Sequence, residues 1–253
     1  MADNRPIGVM DSGFGGMSTL KTLREILPRE SFVFWGDNAH APYGVHTARE
    51  IQDYTMEVVR RLLEKDVKAI VIACNTATSA AAATLREQLS LPVLGLEPAL
   101  KPAVEYAGDA LVAVLATPAT LKLEKYQQLS LKYGRNTVNV PCPELVELVE
   151  AGQTDTPQVC ACIEEKLSAY RERLKAVVLG CTHFVWLRDA VQRAVPGVRI
   201  FDGNQGLALH LIDVLQTNCL ETAAEYGVCE YHTTSQDPEI LRRLKDFARR
   251  VEG

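Results

Sequence analysis

The sequence predicts an α/β fold of two similar half-domains with mostly parallel sheets, related by a pseudo-twofold axis, with the active site in the cleft between them. Three observations carry that expectation. The run Ile70 to Thr78 (I-V-I-A-C-N-T-A-T) is a short apolar strand feeding directly into an alanine-rich helix, the strand-to-helix junction of α/β folds. Val177 to His183 (V-V-L-G-C-T-H) repeats the pattern and sets Cys181 107 positions after Cys74 (181 minus 74). Other strand starts recur at nearly the same spacing: Gly8 to Ser12 matches Ala113 to Thr117, Phe32 to Phe34 matches Val138 to Val140, and Pro92 matches Pro196. A duplicated chain brings Cys74 and Cys181 to one cleft from opposite sides.

Taken in order, Pro6 to Met10 reads as the first strand, and Asp11-Ser12-Gly13-Phe14-Gly15-Gly16 as a glycine-rich turn into a helix from Met17 to Leu27. Its glycines lack the G-x-G-x-x-G spacing, which sets a dinucleotide aside, but the turn still offers N–H groups to a small anion such as a carboxylate. Asp11 is either a helix N-cap or an acid of the site. Phe32 to Trp35 is the second strand, and the loop from Gly36 to Gly44 holds His40, with His46 just beyond. A lone loop histidine is most often solvated. Thr47 to Lys65 forms an amphipathic helix, the cysteine strand and its helix follow, and Pro92 to Gly95 is a fourth strand.

The chain crosses to its second half near Glu97. A helix from Ala99 to Tyr106 and a strand from Leu111 to Ala116 lead to Thr117-Pro118-Ala119-Thr120, which opens a helix running to Lys132. Thr117 and Thr120 cap that helix or hold a ligand's carboxylate. Thr137 to Val140 is a strand, Pro141-Cys142-Pro143 a rigid break, and Glu144, Glu147 and Glu150 fall along one helical face, where solvation is the plain expectation. A helix from Thr156 to Leu174, the strand Lys175 to Gly180 and, after Cys181-Thr182-His183, a helix to Val195 follow. Val198 to Phe201 is a strand, Gly206 to Thr217 a helix, Gly227 to His232 a strand and Pro238 to Val251 a charged helix. The last elements exceed the duplication and are expected to return to the first half. The expected domains are 1–97 with 208–253, and 98–207.

A chain of 253 residues that is 47% hydrophobic can bury a proper core, and a net charge of −5 with no basic run gives no footprint for nucleic acid or an acidic membrane. No charged leader precedes a signal-like apolar core, and no stretch reaches the ~20 residues of a membrane span, so the expected location is cytoplasmic. Seven cysteines, an odd number, argue for free thiols. Cys160 and Cys162 stand as C-A-C where a zinc site wants C-x-x-C, so no metal site is expected.

A cysteine at a strand end beside a helix start sits where a thiolate is favoured. One such cysteine with a histidine, as in Cys181 and His183, suits an acyl-transferring nucleophile. Two facing cysteines suit a different reaction. A stereocentre between them loses its α-proton to one thiolate and regains a proton from the other thiol on the opposite face, inverting without a cofactor. A thiol pKa of ~8.5 needs only modest depression for this near neutral pH.

Together the motifs Asp11 to Gly16, Gly36-Asp37-Asn38 with Pro42-Tyr43-Gly44, Ala73-Cys74-Asn75-Thr76-Ala77-Thr78 and Gly180-Cys181-Thr182-His183 resemble those of the glutamate racemases. The resemblance runs from Ile7 to about Asp202. It implies a cofactor-independent racemase that supplies D-glutamate for the bacterial cell wall, a homodimer in many members, with glutamate as the small-molecule partner. By position it implies that Cys74 takes the proton of D-glutamate and Cys181 that of L-glutamate. It assigns Asp11, His183 and Glu150 as groups assisting the thiols. Substrate contacts carry over to Asp11, Ser12, Pro42, Tyr43 and Gly44, to Asn75 and Thr76 beside Cys74, to Thr117 and Thr120, and to Thr182 and His183 beside Cys181. The chain departs from the pattern at Phe184-Val185-Trp186, where many relatives have tyrosine and proline, and at Ala119, where glycine is usual. An aspartate racemase or related isomerase of the same superfamily, and a non-catalytic binding or inhibitor protein on the same scaffold, are the alternatives.

Overall fold

A computed structural model describes residues 2–252. The first sheet opens with β1 (Ile7–Asp11), β2 (Phe32–Gly36), β3 (Ala69–Ile72) and β4 (Val93–Gly95), and the second holds β5 (Leu111–Ala116), β6 (Thr137–Pro141), β7 (Leu174–Leu179) and β8 (Arg199–Asp202). A last strand, β9 (Cys229–Thr233), joins the first sheet. The spatial orders are β4-β3-β1-β2-β9 and β6-β5-β7-β8, with every pairing parallel. Read from the other edge, the second sheet is β8-β7-β5-β6, the order of β4-β3-β1-β2. The strands paired by spacing in the sequence therefore occupy equivalent places. Parallel strands are covered on both faces, which is why β3 (A-I-V-I) is apolar and buried throughout.

Twelve α-helices cover the sheets among the described residues: α1 (Met17–Ile26), α2 (Ala48–Leu63), α3 (Asn75–Gln88), α4 (Leu100–Ala107), α5 (Pro118–Lys122), α6 (Glu124–Tyr133), α7 (Pro143–Glu150), α8 (Pro157–Leu167), α9 (Thr182–Val185), α10 (Arg188–Ala194), α11 (Asn204–Thr217) and α12 (Pro238–Glu252). Helix α2 shows how local sequence sets them. Thr47 caps it in a reciprocal box with Glu50, worth about 1 kcal/mol, and Ile51, Thr55, Val58, Val59 and Leu62 form its buried stripe.

Three helices are shorter than the sequence suggests. The segment from Thr117 to Lys132 breaks at Leu123, whose extended backbone (φ −70°, ψ 137°) ends α5 and begins α6. The helix expected to reach Leu174 stops at Leu167, because Leu174 already pairs with Leu111 in the second sheet. The helix after Cys181 divides into α9 and α10, and the bend lets Phe184 and Leu187 both enter the core at 0% exposure.

One apolar core runs through both halves, joining Leu20 and Leu23 of α1 to Leu115, Phe184 and Leu207. The C-terminal helices close it from the first-sheet side, since α11 and α12 both pack on α1. Phe247 of α12 stacks on Phe14 with ring centroids 5.2 Å apart and meets the Trp186 ring edge-on at 5.3 Å. The departure at Phe184-Val185-Trp186 thus fills the space behind His183 with aromatic packing. Among the described residues no helix is long and apolar enough to cross a membrane.

Candidate active site

The carboxyl ends of the two sheets face each other, and the junctions after equivalent strands β3 and β7 deliver the two cysteines. Cys74 is the N-cap of α3, with an extended backbone, and its Sγ accepts from the Ala77 N–H at 3.4 Å. Cys181 is the N-cap of α9, and its Sγ lies 3.5 Å from His183 Nδ1. Both thiols line one small cavity. Ser12, Asn75, Thr76, Thr117 and Thr182 supply polar groups to its wall, and Pro42, Tyr43 and Gly44 supply the rest of the first-half side. A more open cleft at the ends of β4 and β8 holds neither thiol, and its Arg86 and Arg188 are engaged with Val93 and Ile200 carbonyls.

Behind the wall, three sequence-selected residues act on those that line it. Thr120 Oγ1 lies 3.0 Å from Thr76 Oγ1 and 2.9 Å from Thr117 Oγ1, a ring of hydroxyls that crosses from one half to the other. Thr117 also caps α5 by accepting from the Thr120 N–H at 3.2 Å, so it both caps and lines the cavity. Asp11 is 0% exposed at the end of β1; its Oδ2 accepts from the Gly13 N–H at 3.0 Å and its Oδ1 from the Thr182 hydroxyl at 3.2 Å. Gly16, not Asp11, holds the N-cap position of α1. Glu150 Oε1 is 2.6 Å from His183 Nε2 and accepts from the Phe14 N–H at 2.7 Å.

The glycine-rich turn does bind a carboxylate, and it is the chain's own. A Cβ on Gly13 would come within 2.8 Å of Glu150 Cδ, and a Cβ on Gly15 would lie 2.7 Å from His183 Cγ and Cε1. The turn is glycine because these side chains press on it. Glu144 and Glu147 are exposed as the acidic-face reading expects, and Glu150 alone turns inward. Val146, one turn before Glu150 on α7, lines the cavity and was not anticipated; its i, i+4 relation to Glu150 is the signal that could have found it. His40 and His46 lie outside the cavity, His40 bonded to Asp37 at 3.0 Å and stacked on Tyr54, and His46 bonded to the His40 carbonyl.

The charges around the two thiols differ. Burial pulls the His183 imidazole down, but its bonds to Cys181 and Glu150 outweigh that and hold it well above the ordinary 6.5. A cation thus stands beside Cys181. The Cys74 thiol is pushed up to about 12 by burial and then by the Asp11 charge, against the lowering from Ser12 and the Ala77 N–H. Cys74 is therefore a thiol in this state.

Burial also pushes the Asp11 carboxyl up from 3.8 to about 6, with His183 and the turn N–H groups opposing. A carboxyl with a raised folded pKa binds protons more tightly when folded, so its stabilisation is present at low pH and is lost as pH rises from about 3.8 to about 6. Asp11→Asn keeps the shape, and its amide can donate to the Thr182 hydroxyl. We expect this variant to lose that pH dependence and to gain on wild type above pH 6 by on the order of 1–3 kcal/mol. Thermal unfolding followed from pH 4 to pH 8 checks this, and parallel curves for the two proteins refute it.

Known proteins resemble this chain along nearly its whole length. The Asp/Glu/Hydantoin racemase family model matches residues 7–211. A glutamate racemase of Clostridium perfringens is 42% identical over 248 residues, covering 96% of this chain and 95% of the relative. The Thermus thermophilus glutamate racemase, solved with beta-chloro-D-alanine, superposes with a TM-score of 0.82 at 36% identity, covering 97% of this chain and 94% of that one. The Francisella tularensis glutamate racemase, solved with D-glutamate, gives a TM-score of 0.83 at 29% identity, with 98% and 94% covered. A duplicated parallel-sheet frame with two thiols in its cleft, matched along nearly its whole length by racemases, makes this chain an isomerase and a member of the Asp/Glu/Hydantoin racemase family.

Proposed function

We propose that the protein interconverts L-glutamate and D-glutamate by two-base proton transfer between Cys181 and Cys74. The observation that carries this reading is the pair of thiols, brought from equivalent positions of the two halves into one cavity. The glutamate racemase relatives, including one solved with D-glutamate, support the choice of substrate. In the L-to-D direction the Cys181 thiolate, beside the His183 cation, takes the α-proton and becomes a thiol. The Cys74 thiol then gives its proton to the opposite face and becomes a thiolate. D-to-L runs the same steps backwards, and the substrate ammonium entering beside Cys74 favours the thiolate needed there.

The α-proton of an amino acid is weakly acidic, so the developing carbanion needs fixed donors in a cavity that excludes water. Hydroxyls of Ser12, Thr76 and Thr117 are in place to donate to the two carboxylates, while the Thr182 hydroxyl is engaged by Asp11. Asn75 Oδ1 is buried without a protein partner and suits the ammonium. Asp11 anchors Thr182, and Glu150 keeps His183 charged. In this reading no cofactor enters, the product feeds D-glutamate to peptidoglycan synthesis in the cytoplasm, and the working form is a homodimer. The domains are 1–97 with 208–253 and 98–207, supported by the seat of β9 in the first sheet.

The test is incubation with D-glutamate in D₂O with no added cofactor. We expect the α-proton signal to disappear while the optical rotation decays to zero. If both signals stay constant with D-glutamate but change with D-aspartate, the aspartate racemase alternative replaces this reading. If neither amino acid reacts, a binding protein replaces it.

A further inference from the structure

The strand β9 has no counterpart in the second half, yet its end is wired to the site. Thr233 Oγ1 donates to Asn38 Oδ1 at 2.8 Å, and the next residue, Thr234, donates from its Oγ1 to Asp37 Oδ1 at 2.6 Å. Asp37 accepts in turn from the Tyr43 hydroxyl at 2.7 Å, which fixes one wall of the cavity. The other branch goes further. With its oxygen held by Thr233, the Asn38 amide directs Nδ2 to Glu150 Oε2 at 3.1 Å. The opposite oxygen of Glu150 meets the Phe14 N–H and His183 Nε2, and His183 Nδ1 meets Cys181 Sγ. A continuous chain of contacts thus runs from Thr233 through Asn38, Glu150 and His183 to one thiol. Arg243 of α12 adds a second tether, donating from Nη1 to the Glu150 carbonyl at 3.0 Å. At Cys74 the described contact is with the N-terminus of its own helix.

The terminal torsion of a glutamate is broad, so a carboxylate gripped at one oxygen can swing. Held at both oxygens, it presents Oε1 to His183 in one orientation. We propose that Asn38, oriented by Thr233, is a positioning residue that fixes Glu150 for the His183–Cys181 side of the reaction and not for the Cys74 side. The proposal rests on the two-thiol glutamate racemase reading above. It gives the C-terminal segment a part in the reaction although none of its residues lines the cavity.

The experiment compares wild type with Asn38→Ala, Thr233→Val and Thr233→Ser. For each, kcat/KM is measured with both enantiomers, together with the primary isotope effects of L- and D-glutamate deuterated at the α-carbon. Asn38→Ala is expected to lower kcat/KM by about tenfold or more, the scale of one hydrogen bond to a charged group, and Thr233→Val by about threefold to tenfold, the scale of one between neutral groups. Thr233→Ser keeps the hydroxyl and stays near wild type. When the Cys181 step becomes limiting, the isotope effect from L-glutamate rises, because Cys181 takes that deuteron. The isotope effect from D-glutamate falls, because its deuteron has already left to Cys74. Opposite movements support the proposal. Unchanged isotope effects, or effects that move together as general loosening would produce, overturn it. Thr233→Val acts from outside the cavity and serves if Asn38→Ala does not fold. A wild type inactive on both enantiomers would overturn the functional reading itself.

Discussion

Cys74→Ser and Cys181→Ser should each lower kcat/KM by roughly 10²–10⁴-fold, the range set by losing a positioned acid–base group. Serine keeps the size and the hydrogen bond but is a far weaker acid than a thiol, so it neither takes nor returns the proton at a useful rate. The two enantiomers have equal free energy in water, so kcat/KM must be the same in both directions for wild type and for every variant. The loss therefore appears equally with L- and D-glutamate whichever thiol is removed. Solvent exchange separates the variants. Without Cys74, Cys181 still removes and returns the α-proton of L-glutamate, so deuterium enters L-glutamate with little inversion. Without Cys181 the same happens with D-glutamate. NMR of the α-proton together with chiral analysis reads both quantities. Wild-type racemisation surviving the loss of either thiol would rule out the two-base mechanism and favour a one-thiol chemistry.

Gly15→Ala should cost activity and stability together. Its backbone is not in the left-handed region, so alanine meets no backbone strain there. The obstacle is the His183 ring, 2.7 Å from the new methyl at Cγ and Cε1. That ring is 3% exposed and held by Glu150 on its far side, so it has nowhere to retreat. Overpacking of this kind costs about 1–3 kcal/mol, and displacing the imidazole should lower kcat/KM by about 10²-fold. A double-mutant cycle isolates the cause. In a His183→Ala background the methyl has room, and Gly15→Ala should then cost close to nothing. Denaturant unfolding of the four proteins measures this, and an equal cost in both backgrounds would assign the loss to the turn instead of the ring.

The frame was legible because parallel strands are buried on both faces and read as apolar runs, and because duplication repeats them at a fixed spacing. Cys74 and Cys181 were legible for the same reason, each standing at a strand-to-helix junction. Helix ends were less so: Leu123 breaks one helix in two with an extended backbone, and the helix to Leu167 stops short because Leu174 is already in the second sheet, a pairing that no local signal carries. Asp11 stayed ambiguous between cap and acid until the structure placed Gly16 at the cap and buried the carboxylate. By spacing alone Glu150 reads as the third member of a solvated acidic face, and only the resemblance singles it out. What sets it apart is a bond to the Phe14 N–H, 136 positions away in the chain, and spacing along one helix cannot report such a contact. The role of Asn38 was hidden in the same way, because its two partners come from α7 and β9.

The repeated strand order has a consequence for the energy profile. A reacting carbon that flattens loses the distinction between its two hands, and a twofold axis is the operation that exchanges the faces of such a plane. A frame built of two like halves therefore presents comparable surroundings to both faces at the moment the carbon has no handedness of its own. The features that break the likeness are His183 with Glu150 on one side and β9 with α12 on one half. In the proposed two-thiol reaction they change the individual barriers and the occupancy of each bound hand. They have no power over the final mixture, which stays even however lopsided the ornament on the symmetric frame becomes.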